Sequence, residues 1–182
     1  MRGTDERILQ ATIDAFTKLG YTGMTTDKIA KEASVAEVTL FRKYGSKAAL
    51  FEKAIETMLE KVASSMTIID SSTYEKRIVL FLHTRFSFIS RHKHFVRMML
   101  VESLLNRLPN HFRVIEIMSN DLIDIIKTNQ SDSIDVDFMR KVVIGILIEY
   151  TLDMNSKTYH LMNPKEQKAF LVPYKNLLCL QK

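Results

Sequence analysis

The chain has 182 residues, the length of one large domain or of a small domain joined to a second. Hydrophobic residues make up 46% and charged residues 26%, which excludes wholesale disorder and leaves enough apolar mass for a sizeable core. A net charge of +5 permits nucleic-acid binding without requiring it. The longest relevant apolar run, Val142 to Ile148, falls far short of the ~20 residues that span a bilayer.

The N-terminus, Met1-Arg2-Gly3-Thr4-Asp5-Glu6, lacks the apolar stretch of a secretory signal, and the single cysteine, Cys179, allows neither an internal disulfide nor a zinc site of its own. The expectation is a protein of the reducing cytoplasm, with no membrane partner and no cofactor or metal. Only five Gly and three Pro interrupt a chain rich in Leu, Ile, Lys and Glu, which favours helices over a many-turned β fold. The short signatures of common enzymes, G-x-G-x-x-G, the Walker loop, H-E-x-x-H and G-x-S-x-G, are absent. That lowers the prior for an enzyme.

Thr4 to Leu19 reads as an amphipathic helix with Ile8, Thr12, Ala15, Phe16 and Leu19 on one face, capped by Thr4 and ended by Gly20. Thr25-Thr26-Asp27 opens a short helix with Ile29, Ala30 and Ala33. A tight turn at Ser34-Val35-Ala36 leads to a second short helix, Glu37 to about Tyr44. Gly45-Ser46 breaks it, and Ser46 caps a helix running to about Met66, some 30 Å at roughly 1.5 Å per residue. Ile69 to Thr73 is a polar link. Five more helical segments follow: Tyr74–Ser90, His94–Leu105, Asn110–Thr128 (with Pro109 at its start), Ile134–Lys157 and Pro164–Leu180. The predicted fold is all-α with about nine helices.

Charge is uneven along this order. Residues 1 to 47 carry eight Lys and Arg against six Asp and Glu, but Thr39 to Lys47 holds Arg42, Lys43 and Lys47 with no acid. Lys76 to Val101 has six cations and no acid, whereas Glu116 to Asp137 sets six acids against Lys127 alone. These two segments are either neighbours in one domain or unrelated solvated faces.

Three short helices followed by a long one, with a sharp turn between the second and third, describe a helix-turn-helix. A short helix fits the roughly 12 Å major groove while its partner braces it across the phosphates. Thr25-Thr26-Asp27-Lys28-Ile29-Ala30-Lys31-Glu32-Ala33, Val35 through Tyr44, and Ser46-Lys47-Ala48-Ala49-Leu50-Phe51 resemble the TetR family of bacterial transcriptional regulators. The resemblance covers roughly Ile8 to Ile55. It implies a helix-turn-helix DNA-binding domain at 1–50 (motif about 25–44), and a ligand-binding and dimerisation domain at 51–182.

The resemblance also assigns roles. Thr25 or Thr26 caps the second helix, with or without a phosphate contact. Glu37, Val38 and Thr39 open the recognition helix. Thr39 is placed to bond a base or meet a thymine methyl, and Glu37 either accepts from a cytosine amine or compensates the helix dipole away from DNA. Arg42, Lys43 and above all Lys47 are phosphate contacts by charge and position. Phe41 stands where the family has a phosphate-binding tyrosine, and Tyr44 where it has a core phenylalanine. Three further departures concern the turn. Ser34 replaces the usual glycine, Ala36 the usual Ser or Thr cap at a cost on the order of 1 kcal/mol, and Val38 a common small glycine.

For the rest of the chain the resemblance implies a pocket and a dimer face. Phe81, His83, Phe86, Phe88, Phe95, Met98, Met99, Phe112 and Met118 are the pocket candidates, any of which is equally readable as core. His83, His92 and His94 among the cations suit an anionic head group or are surface histidines. The helix around Val142, Gly145 and Ile146 is apolar nearly all round, and the last helix adds Phe170, Tyr174 and Leu177; together they form the expected dimer face. Gly145 costs about 1 kcal/mol against alanine inside a helix, which a close approach of another backbone would explain.

The expected function is a homodimeric regulator, more a repressor than an activator. It would bind a palindromic double-stranded DNA operator and be released by a small apolar or anionic effector. The alternatives are a helix-turn-helix adaptor without a ligand and, more remotely, an all-α enzyme.

Overall fold

The computed structural model of the chain describes residues 3–63, 73–109, 114–127, 135–153, 155 and 157–179, with the side chains of 61–63, 114–118 and 120–121 outside the description. Among the described residues there are nine α-helices and no strand: α1 Thr4–Gly23, α2 Thr26–Ala33, α3 Glu37–Tyr44, α4 Lys47–Ala63, α5 Tyr74–Arg91, α6 Lys93–Leu104, α7 Val114–Lys127, α8 Val136–Leu152 and α9 Pro164–Cys179, with a 3-10 turn, Tyr159–Leu161, between the last two. The all-α expectation holds. No described helix is long and apolar enough to cross a membrane.

The helices form two compact units, one of residues 1–61 and 94–112, the other of residues 62–93 and 113–182. In the first, α1 packs on α2 and α2 on α3. The spacing of Ile8, Ala11, Ala15 and Phe16 puts one stripe of α1 into the core, where Ile29, Ala30, Leu40, Leu50 and Phe51 are also buried. Phe16 is the hub: its ring lies 4.9 Å from that of Phe51 in α4 and 5.7 Å from that of Phe95 in α6. α6 therefore belongs to the same unit as the helix-turn-helix, although the whole of α5 intervenes in the sequence.

Two details of α1 differ from the sequence reading. Thr4 is its first helical residue and Gly3 its cap, with no side-chain cap bond. Gly20 does not end the helix cleanly. It sits at φ 69°, ψ 175°, a break after which one further turn runs to Gly23. A Cβ at Gly20 would meet Glu102 Oε1 of α6 at 2.9 Å. Gly20→Ala is therefore expected to destabilise the protein by about 3 kcal/mol. Roughly 1–2 kcal/mol of this is left-handed backbone strain, and the rest is the displaced, hydrogen-bonded carboxylate. Denaturant unfolding checks it: in a Glu102→Ala background the added cost of Gly20→Ala should shrink to the backbone share alone.

In the second unit α5 is central, packing against α7, α8, α9 and the 3-10 turn, while α7 also packs on α8. The basic α5 and the acidic α7 are thus neighbours in one unit. α8 ends at Leu152, short of the expected Lys157, because Asp153 turns extended (φ −63°, ψ 116°). Beyond it the Tyr150 hydroxyl donates to the Lys157 carbonyl at 2.7 Å and accepts from the Tyr159 N–H at 3.2 Å. One phenol thereby satisfies two backbone groups that the helix no longer serves. The expected start of the seventh helix at Asn110 and the link from Ile69 as far as Ser72 lie outside the described residues.

Candidate nucleic-acid interface

The turn between α2 and α3 shows what a non-glycine residue does there. Ser34 adopts the left-handed conformation (φ 56°, ψ 50°) that the family's glycine would take freely. Two bonds hold it in place: the Ser34 N–H donates to Lys31 O at 3.1 Å and the Val35 N–H to Ala30 O at 3.0 Å. This paired closure of the helix end is the usual reward for a left-handed residue at that position. The sharp turn is therefore kept. Ala36 caps α3 with no side-chain bond, as its methyl group dictates.

The two helix starts are stitched together. Thr25 accepts from the Lys28 N–H at 3.3 Å and caps α2, while the Thr26 hydroxyl donates to Glu37 Oε1 at 2.6 Å. Glu37, the first residue of α3, thus has one carboxylate oxygen fixed by α2. Along α3, Leu40 is buried and anchors the helix; Val38 is 71% and Phe41 48% exposed, and Thr39 is half-buried. Val38 and Phe41, three residues apart, leave two apolar side chains on the outer side of this eight-residue helix.

The cations behind this face are not bare. Lys43 pairs with Asp5 of α1, and the Tyr44 hydroxyl lies 3.5 Å from the same carboxylate. Burial first, then Asp5, raises the Tyr44 phenol above its ordinary 10.0, so it stays a neutral donor. Arg42 is exposed. Lys47, the first residue of α4, has its ammonium at the break in α1. It donates to Tyr21 O at 3.0 Å and to Met24 O at 3.3 Å, and lies 4.4 Å from the centre of the Tyr21 ring. Sequence reasoning missed Tyr21 and its other partner, Glu102, whose Oε2 accepts the Tyr21 N–H at 3.1 Å across 81 residues of chain. Nothing in local periodicity announces such a bond.

The pocket candidates are split between the two units. Phe95, Met98 and Met99 lie in α6, with Phe95 edge-on to Phe16. Phe81, His83, Phe86 and Phe88 lie in α5; Phe112 is outside the described residues and so is the side chain of Met118. Phe81 and Phe86 are fully buried. Half-buried His83 shares a 2.9 Å hydrogen bond from Nδ1 to the Tyr159 hydroxyl, and burial, then Arg91, lowers its basicity. Burial, then Tyr150, pushes the Tyr159 phenol up to about 12. Phe88 stacks on His92 at 4.9 Å. His92 and His94 are exposed. Among the described residues no group of three or more His, Cys, Asp or Glu is placed to hold a metal ion.

Of the residues expected at a dimer face, Val142 and Ile146 are half-buried, and Gly145 and Leu177 are exposed. A Cβ on Gly145 would meet nothing within 4 Å among the described residues, so no close backbone there explains the glycine. Phe170 and Tyr174 instead turn their rings toward Phe86, at 5.0 and 5.2 Å.

Comparison with known proteins agrees with this geometry. Residues 8–54 match the bacterial regulatory proteins of the tetR family. The uncharacterized HTH-type transcriptional regulator YvkB of Bacillus subtilis is 44% identical over 52 residues, 29% of this chain and 28% of that protein. The nucleoid occlusion factor SlmA of Aliivibrio fischeri is 29% identical over 142 residues, 72% of each chain. A crystal structure of a transcriptional regulator from Aquifex aeolicus shares the fold over 97% of this chain and 99% of its own, with a TM-score of 0.72 at 21% identity. Residues 8–54 thus carry a helix-turn-helix that matches the tetR family of bacterial regulatory proteins, and the chain shares its all-helical fold with solved transcriptional regulators.

Proposed function

We propose that the chain is a repressor that binds a two-fold symmetric operator as a homodimer and is released by a small-molecule effector. The observation that carries the DNA-binding part is the outward face of α3. Val38 and Phe41 project into solvent from a helix anchored by Leu40, with Arg42 and Lys47 near its end and the positive starts of α2 and α3 bound together by Thr26 and Glu37. Val38 and Thr39 are assigned to base edges, and Glu37, with one oxygen engaged by Thr26, keeps the other for a cytosine amine. Thr25, Arg42, Lys43 and Lys47 are assigned to phosphates. The effector, apolar or anionic, is assigned to the second unit.

Selection of binding sites from random duplex DNA, followed by a salt series, tests the reading. An enriched palindrome with half-sites about 34–36 Å apart, or a multiple, is expected. Lys47→Ala should weaken binding to all sequences alike and flatten the salt slope by about one unit, whereas Thr39→Ala should change which sequences are enriched. Equal losses on selected and random DNA from Thr39→Ala would remove it from the base readers.

A second reading has its own support. The relative matched over 72% of this chain is named a nucleoid occlusion factor, which makes a DNA-bound adaptor without an effector the alternative. A selected palindrome together with no stabilisation by any of a panel of fatty acids, aromatic acids and apolar drugs in thermal melts would favour it.

A further inference from the structure

The break in α1 lies between two charged side chains from distant parts of the sequence, and a single residue connects them. Tyr21 donates its N–H to the Glu102 carboxylate at 3.1 Å and offers its C=O to the Lys47 ammonium at 3.0 Å. Glu102 belongs to α6 and is 5% exposed; Lys47 begins α4. All three lie in the same compact unit.

The origin of the arrangement is Gly20. At φ 69° it interrupts the helical ladder and turns the Tyr21 N–H out of line with the turn before it. A half-buried donor left without a partner is costly, and Glu102 removes that cost. It acts as a helix cap supplied by another helix, and Gly20 gives it room because it has no Cβ. α6 itself ends just beyond, where Asn106 takes a left-handed conformation and the Arg107 N–H donates to Glu102 O at 2.9 Å; the Arg107 guanidinium is 3.8 Å from the Glu102 carboxylate. Both the backbone and the side chain of Glu102 are therefore fixed.

On the other side of Tyr21 the Lys47 ammonium uses two of its three donors, on Tyr21 O and Met24 O, and rests on the Tyr21 ring. A lysine otherwise has four freely rotating bonds to order before it makes a specific contact. Here the ordering is done in advance, with one N–H left for an anion.

We infer that Glu102 is a positioning residue for DNA binding: through the backbone of Tyr21 it holds the Lys47 ammonium in the place from which it contacts a phosphate. The inference rests on the DNA-binding reading above and deepens it, by making α6 a determinant of how well the first residue of α4 engages DNA. Glu102 itself touches no DNA.

The test is a double-mutant cycle on the full-length protein, with Glu102→Met, Glu102→Gln, Lys47→Met and the two combinations bound to the selected operator. Met fills the volume of Glu without an acceptor, and Gln keeps an acceptor for the Tyr21 N–H. Glu102→Met is expected to weaken operator binding about tenfold when Lys47 is present and less than about twofold in the Lys47→Met background, with Glu102→Gln close to wild type in both. Equal weakening in both backgrounds would overturn the inference, because Glu102 would then act through general stability. So would Glu102→Gln behaving like Glu102→Met.

Hydrogen exchange of the Tyr21 amide, measured without DNA, separates the two readings. Protection lost in Glu102→Met and kept in Glu102→Gln is expected, and unchanged exchange in Glu102→Met overturns the relay whatever the DNA results. Exchange that behaves as expected in a protein that selects no operator means instead that the DNA-binding reading has failed, and the positioning role with it.

Discussion

Phe86→Ala should lower the unfolding free energy by about 3–5 kcal/mol, read as a fall in denaturant midpoint at unchanged slope. Phe86 lies near the middle of α5 and has no exposed surface. Four rings enclose it: Tyr150 of α8 at 4.9 Å and 87°, Phe170 of α9 at 5.0 Å and 88°, Tyr174 of α9 at 5.2 Å, and Tyr159 of the 3-10 turn at 5.7 Å. Two of these are edge-to-face, the arrangement in which each aromatic pair adds about 0.5–1.5 kcal/mol beyond burial. Truncation removes the hub from all four at once, and rings tied elsewhere cannot collapse into the space. Tyr159 is held to His83 and Tyr150 to Lys157 by their hydroxyls. A domain stable by about 5–15 kcal/mol would lose about a fifth of its margin at the least. The result also decides between core and pocket for this residue. A loss under about 1 kcal/mol would mean that Phe86 faces a space that was never filled, which would return it to the effector-pocket candidates.

What can be read from the sequence follows the range of the forces involved. Local pattern places α3 at Glu37 to about Tyr44, and the helix runs Glu37–Tyr44, because its start and end are written in the Ser34-Val35-Ala36 turn and in Gly45. The cap of α2 by Thr25 and of α4 by Ser46, whose Oγ accepts the Ala49 N–H at 3.1 Å, are equally local. The buried stripe Ile8, Thr12, Ala15 and Phe16 follows from the helical period alone, though Leu19 at its end is exposed.

The misses are long-range. α8 ends early because one tyrosine hydroxyl and the 3-10 turn serve the backbone beyond Leu152, and no apolar pattern encodes that. Composition groups Phe95 with Phe86, yet its ring meets Phe16 of α1. Charge and position single out Lys47, but only the fold shows carbonyls of α1 holding its ammonium. At the candidate DNA-binding face, residue types and order were legible; the partners that orient them were not.

Gly145→Glu should leave the folded monomer intact and abolish tight operator binding. On α8, Phe138, Gly145 and Leu152 recur every seven residues and form one outward stripe; Phe138 is 58% and Leu152 52% exposed. Their neighbours Met139, Val143 and Leu147 point into the chain's own core. A glycine in mid-helix costs about 1 kcal/mol against alanine, and nothing among the described residues occupies the space where its Cβ would be. Adding a side chain should therefore make an isolated chain slightly more stable. The glycine is explained if a second copy packs its α8 and α9 across this stripe, as a symmetric dimer requires the same patch on both subunits. In such a dimer a glutamate there would bring a carboxylate from each subunit into the apolar interface, at a large desolvation cost.

Sedimentation should show the wild type as a dimer and Gly145→Glu as a monomer with an equal or higher melting temperature at low concentration. Operator affinity should fall by about 10²–10⁴, the advantage of binding two half-sites through one rigid body, while the weak affinity for a single half-site persists. A Gly145→Glu protein that remains dimeric would place the dimer face elsewhere and leave the glycine without an explanation in packing. A monomer that still binds the full palindrome as tightly as the wild type would show that pairing on this face is not what joins the two half-sites.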